Sequence, residues 1–201
     1  GKAEKTTATA MASLAATLSK LAMDICLYMG QEHNFVSFPE ALTTGSSIMP
    51  HKKNPDVFEL IRAKCNRIQS TPNELTLLTN NLPSGYHRDM QLTKEILFPV
   101  IEELKSCLEM MQLMISEISV KEDILQDPKY SYLFSVEMVN ELVNQGMPFR
   151  DAYKEVGNQI EKGTFSFDIS KGSNHTHEGS IGNLCNKEIE MEMKKSIEKF
   201  N

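Results

Sequence analysis

The residues best placed to do chemistry lie between positions 43 and 59, which read Thr-Thr-Gly-Ser-Ser-Ile-Met-Pro-His-Lys-Lys-Asn-Pro-Asp-Val-Phe-Glu. Gly45, Pro50 and the pair Ser46-Ser47 argue against a regular helix and for a loop. Asn54, Pro55 and Asp56 then spell a helix start: a cap, a proline at the first helical position and an acid in the first turn. Lys52 and Lys53 add positive charge beside the positive end of that helix, a setting that suits a carboxylate ligand. The same charge favours ionisation of a nearby hydroxyl. A Gly/Ser connector with solvated lysines before a capped helix would look the same, and on residue types alone the two readings are equally good.

Other clusters are weaker. Gln91 and Lys94 are three apart, so on a helix they share a face, but a helix-entry loop with an exposed lysine is the plainer reading. His175 and His177 flank one threonine; two histidines in a Gly/Ser/Asn-rich loop make a poor metal site, and no metal is expected. Met110, Met111 and Met114 read as core filler. Glu188, Glu190, Glu192, Lys194 and Lys195 read as a solvated helix face.

The elements that must position these groups are helical. Met11, Leu14, Leu18, Leu21, Ile25 and Tyr28 recur at steps of three and four and predict a helix over 6–28. Phe58, Ile61, Cys65, Ile68, Leu75 and Leu78 form a second stripe, crossed by Pro72. There Thr71-Pro72-Asn73-Glu74 reads as a capping box where the helix restarts. Leu97, Ile101, Leu104, Leu108, Met111, Ile115 and Ile118 give a third stripe. Helices with narrow apolar seams belong in a bundle. Ser119-Val120-Lys121-Glu122 reads as another capping box, and shorter helices are expected over 132–145, 148–162 and 187–200, with Gly146 and Gly163 as C-terminal caps. Residues 163–186 read as loop. The expected architecture is all-α: a long-helix bundle segment, 1–118, carrying the loop 43–56, then a small helical C-terminal domain, 119–201.

Composition narrows the function classes. A net charge of −6 gives no basic field for nucleic acid or an anionic membrane. The apolar stretches are expected to be broken by charge before they reach membrane-spanning length, so no membrane partner is expected. Cys26, Cys65, Cys107 and Cys185 include no CxxC pair and read as free thiols of a reducing compartment, the cytoplasm. The chain opens on Gly1 already in a helical pattern and is expected to be part of a longer polypeptide.

Gly45-Ser46-Ser47-Ile48-Met49-Pro50, with Lys52 and Asn54, resembles the signature of the fumarase/aspartase superfamily. The paired lysines before Asn54-Pro55-Asp56, then Glu59-Leu60-Ile61-Arg62, are similar to its argininosuccinate lyase branch. Leu82-Pro83-Ser84-Gly85-Tyr86-His87-Arg88-Asp89-Met90-Gln91 with Lys94, and Pro148-Phe149-Arg150-Asp151-Ala152 with Val156-Gly157, extend the likeness over essentially the whole chain. His51 departs from the glutamine that many members carry.

The resemblance implies β-elimination of argininosuccinate to arginine and fumarate, in arginine biosynthesis, with no cofactor and no metal. Ser46 matches the general base, which would take the proton from the carbon β to the departing nitrogen. Lys52 matches the group that holds a substrate carboxylate and steadies the developing charge. Glu59 matches an orienting partner of a catalytic group. Ser47 and Asn54 match contacts at the succinyl end, and Tyr86, Gln91 and Lys94 match groups that bind the substrate away from the breaking bond. The family implies a homotetramer whose active sites draw on three subunits. It also implies that this chain is less than half a subunit, lacks the segment on the general-acid side and is inactive alone. Two alternatives stay open: a lyase of another substituted succinate, and a catalytically silent structural relative.

Overall fold

The computed structural model describes residues 1–49, 51–168 and 175–200. They fall into two compact units, Gly1–Glu122 and Asp123–Asn201.

In the first unit, helix α1, Lys2–Met29, runs through the predicted stripe. Its buried face is Ala8, Ala15, Leu18, Ala22 and Ile25. Three of these are alanines, which let neighbouring backbones approach closely. Against this face pack α2, Asp56–Ile68, and α3, Thr71–Leu78. Helix α4, Thr93–Ser116, packs on α2, α1 and α3. The main apolar cluster joins Leu18, Ile25, Phe38, Phe58, Ile61, Ile68, Leu104 and Met114. Burying each such side chain contributes about 1.5–3 kcal/mol, so this cluster dominates the stability of the unit. A separate, smaller cluster of Ala8, Leu75 and Leu97 sits nearer the start of α1. Leu14, Leu21 and Tyr28 of the predicted stripe remain exposed, so this chain covers that stripe on one side only.

Several local expectations need correction. α1 does contain a stretch long and apolar enough to cross a membrane by composition, because Lys20 is the only charge between Thr6 and Met23. Its alanine face packs on α2 and α3, and 22% of that stretch is buried within this chain. The restart at Pro72 is present, but Thr71 is inside α3 and buried, and no side chain caps the helix; Pro72 occupies its first turn. Ser119–Val120 is not a helix start. It forms a strand, β2, paired antiparallel with β1, Val36–Ser37, so that Val36 faces Val120. Pro99 lies inside α4 and cannot donate to the carbonyl of Glu95.

Cys65 on α2 and Cys107 on α4 are buried and free. Burial, then the neighbouring Cys107, pushes the Cys65 thiol up to about 12. Burial also pushes Cys107 up. The thiolate is the reactive form, so neither should react with an alkylating reagent near pH 8 while the chain is folded. Mass mapping of iodoacetamide adducts should find label at Cys185 first; early labelling of Cys65 would contradict this packing.

In the second unit, α5, Ser135–Asn144, packs against α6, Phe149–Glu161, through Val139, Ala152 and Val156. Gly146 and Gly163 end them as expected, with φ of 98° and 65°. After α5, Gly146 N–H donates to Val143 and Met147 N–H to Leu142, which satisfies the last carbonyls; the same pattern follows α6. His175 pairs with Glu137 at 2.8 Å and ties the loop after residue 174 to α5. Helix α7, Asn186–Glu198, follows.

Candidate functional site

The loop before α2 is closed at its base. Thr44 and Asn54 face each other as an isolated antiparallel pair, with Asn54 N–H donating to Thr44 O at 2.8 Å. The Asn54 side chain donates to Gly45 O at 3.3 Å. It therefore does not cap α2, whose cap position is Pro55 with no side-chain hydrogen bond. The expected helix cap is thus absent, and the side chain ties the loop instead. Such a bond contributes about 0.5–1.5 kcal/mol, here spent on holding the loop's shape.

Inside that closure, Ser46 Oγ accepts hydrogen bonds from the backbone N–H of Met49 at 3.1 Å and of Ile48 at 3.2 Å. Two amide dipoles aimed at one hydroxyl oxygen favour its ionised form, as a general base requires. Nothing in the sequence announced these donors: they exist because the loop turns back at Met49, whose carbonyl accepts from Lys52 N–H at 3.0 Å. Ser46 is half-buried, whereas Ser47, Lys52 and Lys53 are exposed. Ile48 is 86% exposed, an apolar side chain held at the tip of the loop.

Glu59 lies in the first turn of α2, its N–H bonded to Pro55 O, and is exposed. Its charge reaches Cys26 near the end of α1. That thiol is pushed up mainly by burial, opposed by Arg62 and reinforced by Glu59.

Tyr86, Gln91 and Lys94 form a second group. Gly85, at φ 107°, turns the chain so that Tyr86 is 73% exposed. Gln91 lies in a 3-10 turn, Arg88–Leu92, that runs straight into α4, where Lys94 occupies the first turn. Both are exposed. His87, between Tyr86 and Arg88, turns inward: its Nε2 is buried without a hydrogen-bond partner among the described residues.

The two groups stand at opposite ends of the unit. A side-chain carbon on Gly1 would meet Thr79 and Met90 at 3.4 Å, so the segment with Tyr86 lies at the start of α1. At the other end, Phe35 N–H bonds Tyr28 O, and Phe38 packs on Phe58 with ring centroids 5.0 Å apart. That fixes the loop with Ser46 beyond Met29. The 28 residues of α1 separate the two groups, roughly 40 Å at 1.5 Å per residue. Ser46, Ser47, Lys52 and Asn54 share one loop and Glu59 the helix turn that follows it, and Tyr86, Gln91 and Lys94 are not brought to them.

His175 and His177 contact each other edge to face. Among the described residues, no group of three or more His, Cys, Asp or Glu side chains could hold a metal ion.

The profile of the family described as "Lyase" matches residues 5–70. The argininosuccinate lyase of Bacteroides fragilis is 58% identical over 201 residues, all of this chain and 44% of that protein. That of Parabacteroides distasonis is 59% identical, over all of this chain and 45% of its own length. That of Aquifex aeolicus is 42% identical over 74% of this chain and 33% of its own length. The chain therefore spans less than half the length of these relatives, matching their C-terminal part. Among solved structures, a fumarate lyase:delta crystallin from Brucella melitensis bound to cobalt aligns with a TM-score of 0.68 at 20% identity, over 86% of this chain and 38% of its own. EDDS lyase in complex with formate aligns with a TM-score of 0.66 at 24% identity, over 78% of this chain and 32% of its own. Both likenesses show the same helical fold.

Proposed function

We propose that this chain, similar over its whole length to argininosuccinate lyases, supplies part of an active site that splits argininosuccinate into arginine and fumarate. The observation that carries the reading is the closed loop 44–54, with Ser46 Oγ held by two backbone amides. In this reaction Ser46 removes a proton from the carbon β to the nitrogen, electrons shift to form the double bond, and the guanidino nitrogen leaves with a proton from an acid. Lys52 steadies the carboxylate that takes up charge, Ser47 and Asn54 contact the same end, and Glu59 orients a catalytic group. Tyr86, Gln91 and Lys94 hold the far end of the substrate.

The distance between the two groups within one chain supports a site assembled from several copies, in a homotetramer. The exposed half of the α1 stripe supports the same reading, since an apolar face of that kind is normally covered. On this reading Gly1–Glu122 is a segment of the central bundle and Asp123–Asn201 a small helical domain, the boundary expected at 119 being moved by the pairing of Ser119–Val120 with the first unit. The enzyme works in the cytoplasm in arginine biosynthesis, and four free cysteines fit that compartment.

The test is an assay of the assembled enzyme against succinyl compounds, read by the absorbance of fumarate. Argininosuccinate should be the preferred substrate, and aspartate should release no ammonia. A preference for adenylosuccinate or malate would refute the substrate assignment. Gln91→Ala should raise KM more than it lowers kcat, because its contact is remote from the breaking bond.

A further inference from the structure

Among the described residues, α7 is the one α-helix with no buried residue. Ile189, Met193 and Ile197 recur every four residues on one side, and are 64%, 53% and 53% exposed. A single 13-residue helix is marginal in water by itself, at about the lower length limit for stability. Its charges are also segregated. Glu188, Glu190 and Glu192 lie in the first half with Lys187, and Lys194 and Lys195 lie in the second with Glu198, so the first half is net acidic and the second net basic. Within the helix Lys194 pairs with Glu190 and Lys195 with Glu192.

A narrow apolar stripe flanked by an acidic first half and a basic second half is complementary to itself when reversed. Set antiparallel about a two-fold axis beside Met193, two such helices place Met193 against Met193 and Ile189 against Ile197. The flank then sets Glu190 of one copy within two residues, about 3 Å along the axis, of Lys194 of the other. A parallel pair would set acid against acid and base against base. This is an isologous contact, the commonest kind between identical chains.

We propose that α7 is an interaction surface for a second copy of this chain, through an antiparallel two-fold pairing centred on Met193. The contact is separate from the bundle faces of the first unit and does not depend on the catalytic reading. Three apolar side chains per copy make a small contact, suited to joining copies already held near one another.

The full chain with Cys185→Ser, which removes the partly exposed native thiol beside the helix, provides the background. Into it go Met193→Cys on the proposed axis and Met191→Cys on another face of the helix. Diamide, a two-electron oxidant, takes the two hydrogens as two thiols join. Met193→Cys should form a disulfide-linked dimer at least about tenfold faster than Met191→Cys, because pairing raises the local thiol concentration. Equal rates would overturn the proposal. A charge test is independent of the new cysteine. Glu190→Lys and Lys194→Glu should each slow cross-linking in the Met193→Cys background, and mixing the two proteins should restore it in mixed dimers. Mixing without recovery would also overturn it. None of these positions is buried, so circular dichroism should report unchanged folding. If α7 instead lies on another part of its own chain, the Met193 thiols stay apart and the first result fails.

Discussion

Ser46→Ala in the assembled enzyme is expected to leave folding and substrate affinity near normal and to slow turnover by about 10²–10⁴-fold, the usual cost of losing a general base. Folding should survive because Ser46 Oγ only accepts from two loop amides and the loop keeps its other ties, Asn54 to Thr44 and to Gly45. Affinity should survive because the matched binding groups, Ser47, Lys52 and Asn54 in the loop and Tyr86, Gln91 and Lys94 outside it, keep their side chains. The measurement is kcat and KM from fumarate release, with the dissociation constant of argininosuccinate by calorimetry. A variant with near-normal kcat would remove Ser46 from the role and turn attention to Ser47. Asn54→Ala should fall between: it opens the loop and frees the donors that Ser46 needs, without deleting the base.

Mixing two inactive enzymes should restore activity. Ser46→Ala disables one group and Lys94→Ala the other, and α1 holds those groups at opposite ends of a single chain. If each site takes its loop from one copy and its far-end segment from another, random exchange of copies leaves about a quarter of the sites with both segments intact. Unfolding and refolding a one-to-one mixture should therefore recover about a quarter of normal activity, against almost none for either parent. If both groups of a site came from the same copy, the mixture would stay as inactive as its components. This outcome bears on the assembly of the site even if the chemistry assigned to Ser46 were revised.

What could be read from the sequence follows the range of the interactions involved. The stripes of α1, α2 and α4 are local patterns, repeated for many residues, and each became a helix. The break before Pro72 and the glycine caps at 146 and 163 are also local, because a ring or a missing Cβ acts on its own backbone. The strand at Ser119–Val120 was read as a helix start because its partner, Val36–Ser37, lies more than eighty residues earlier and two residues show no alternation. Asn54 has the residue type of a helix cap, yet the loop's return brings Gly45 O within its reach first. The serines and lysines of the site were legible as types. That two amides address Ser46, and that Tyr86 stands at the far end of the bundle, follow from the path of the chain.

The two apolar clusters of the first unit also divide its response to temperature. The end beside Gly1 rests on Ala8, Leu75 and Leu97, with α4 weakened by Pro99 just beyond. The end carrying Ser46 is backed by the larger cluster through Ile25, Phe38 and Phe58. Local opening has a free energy set by the contacts it breaks, so on warming the Tyr86 segment opens well before the serine loop. If the two segments have the roles proposed for them, KM would climb at temperatures where kcat still holds.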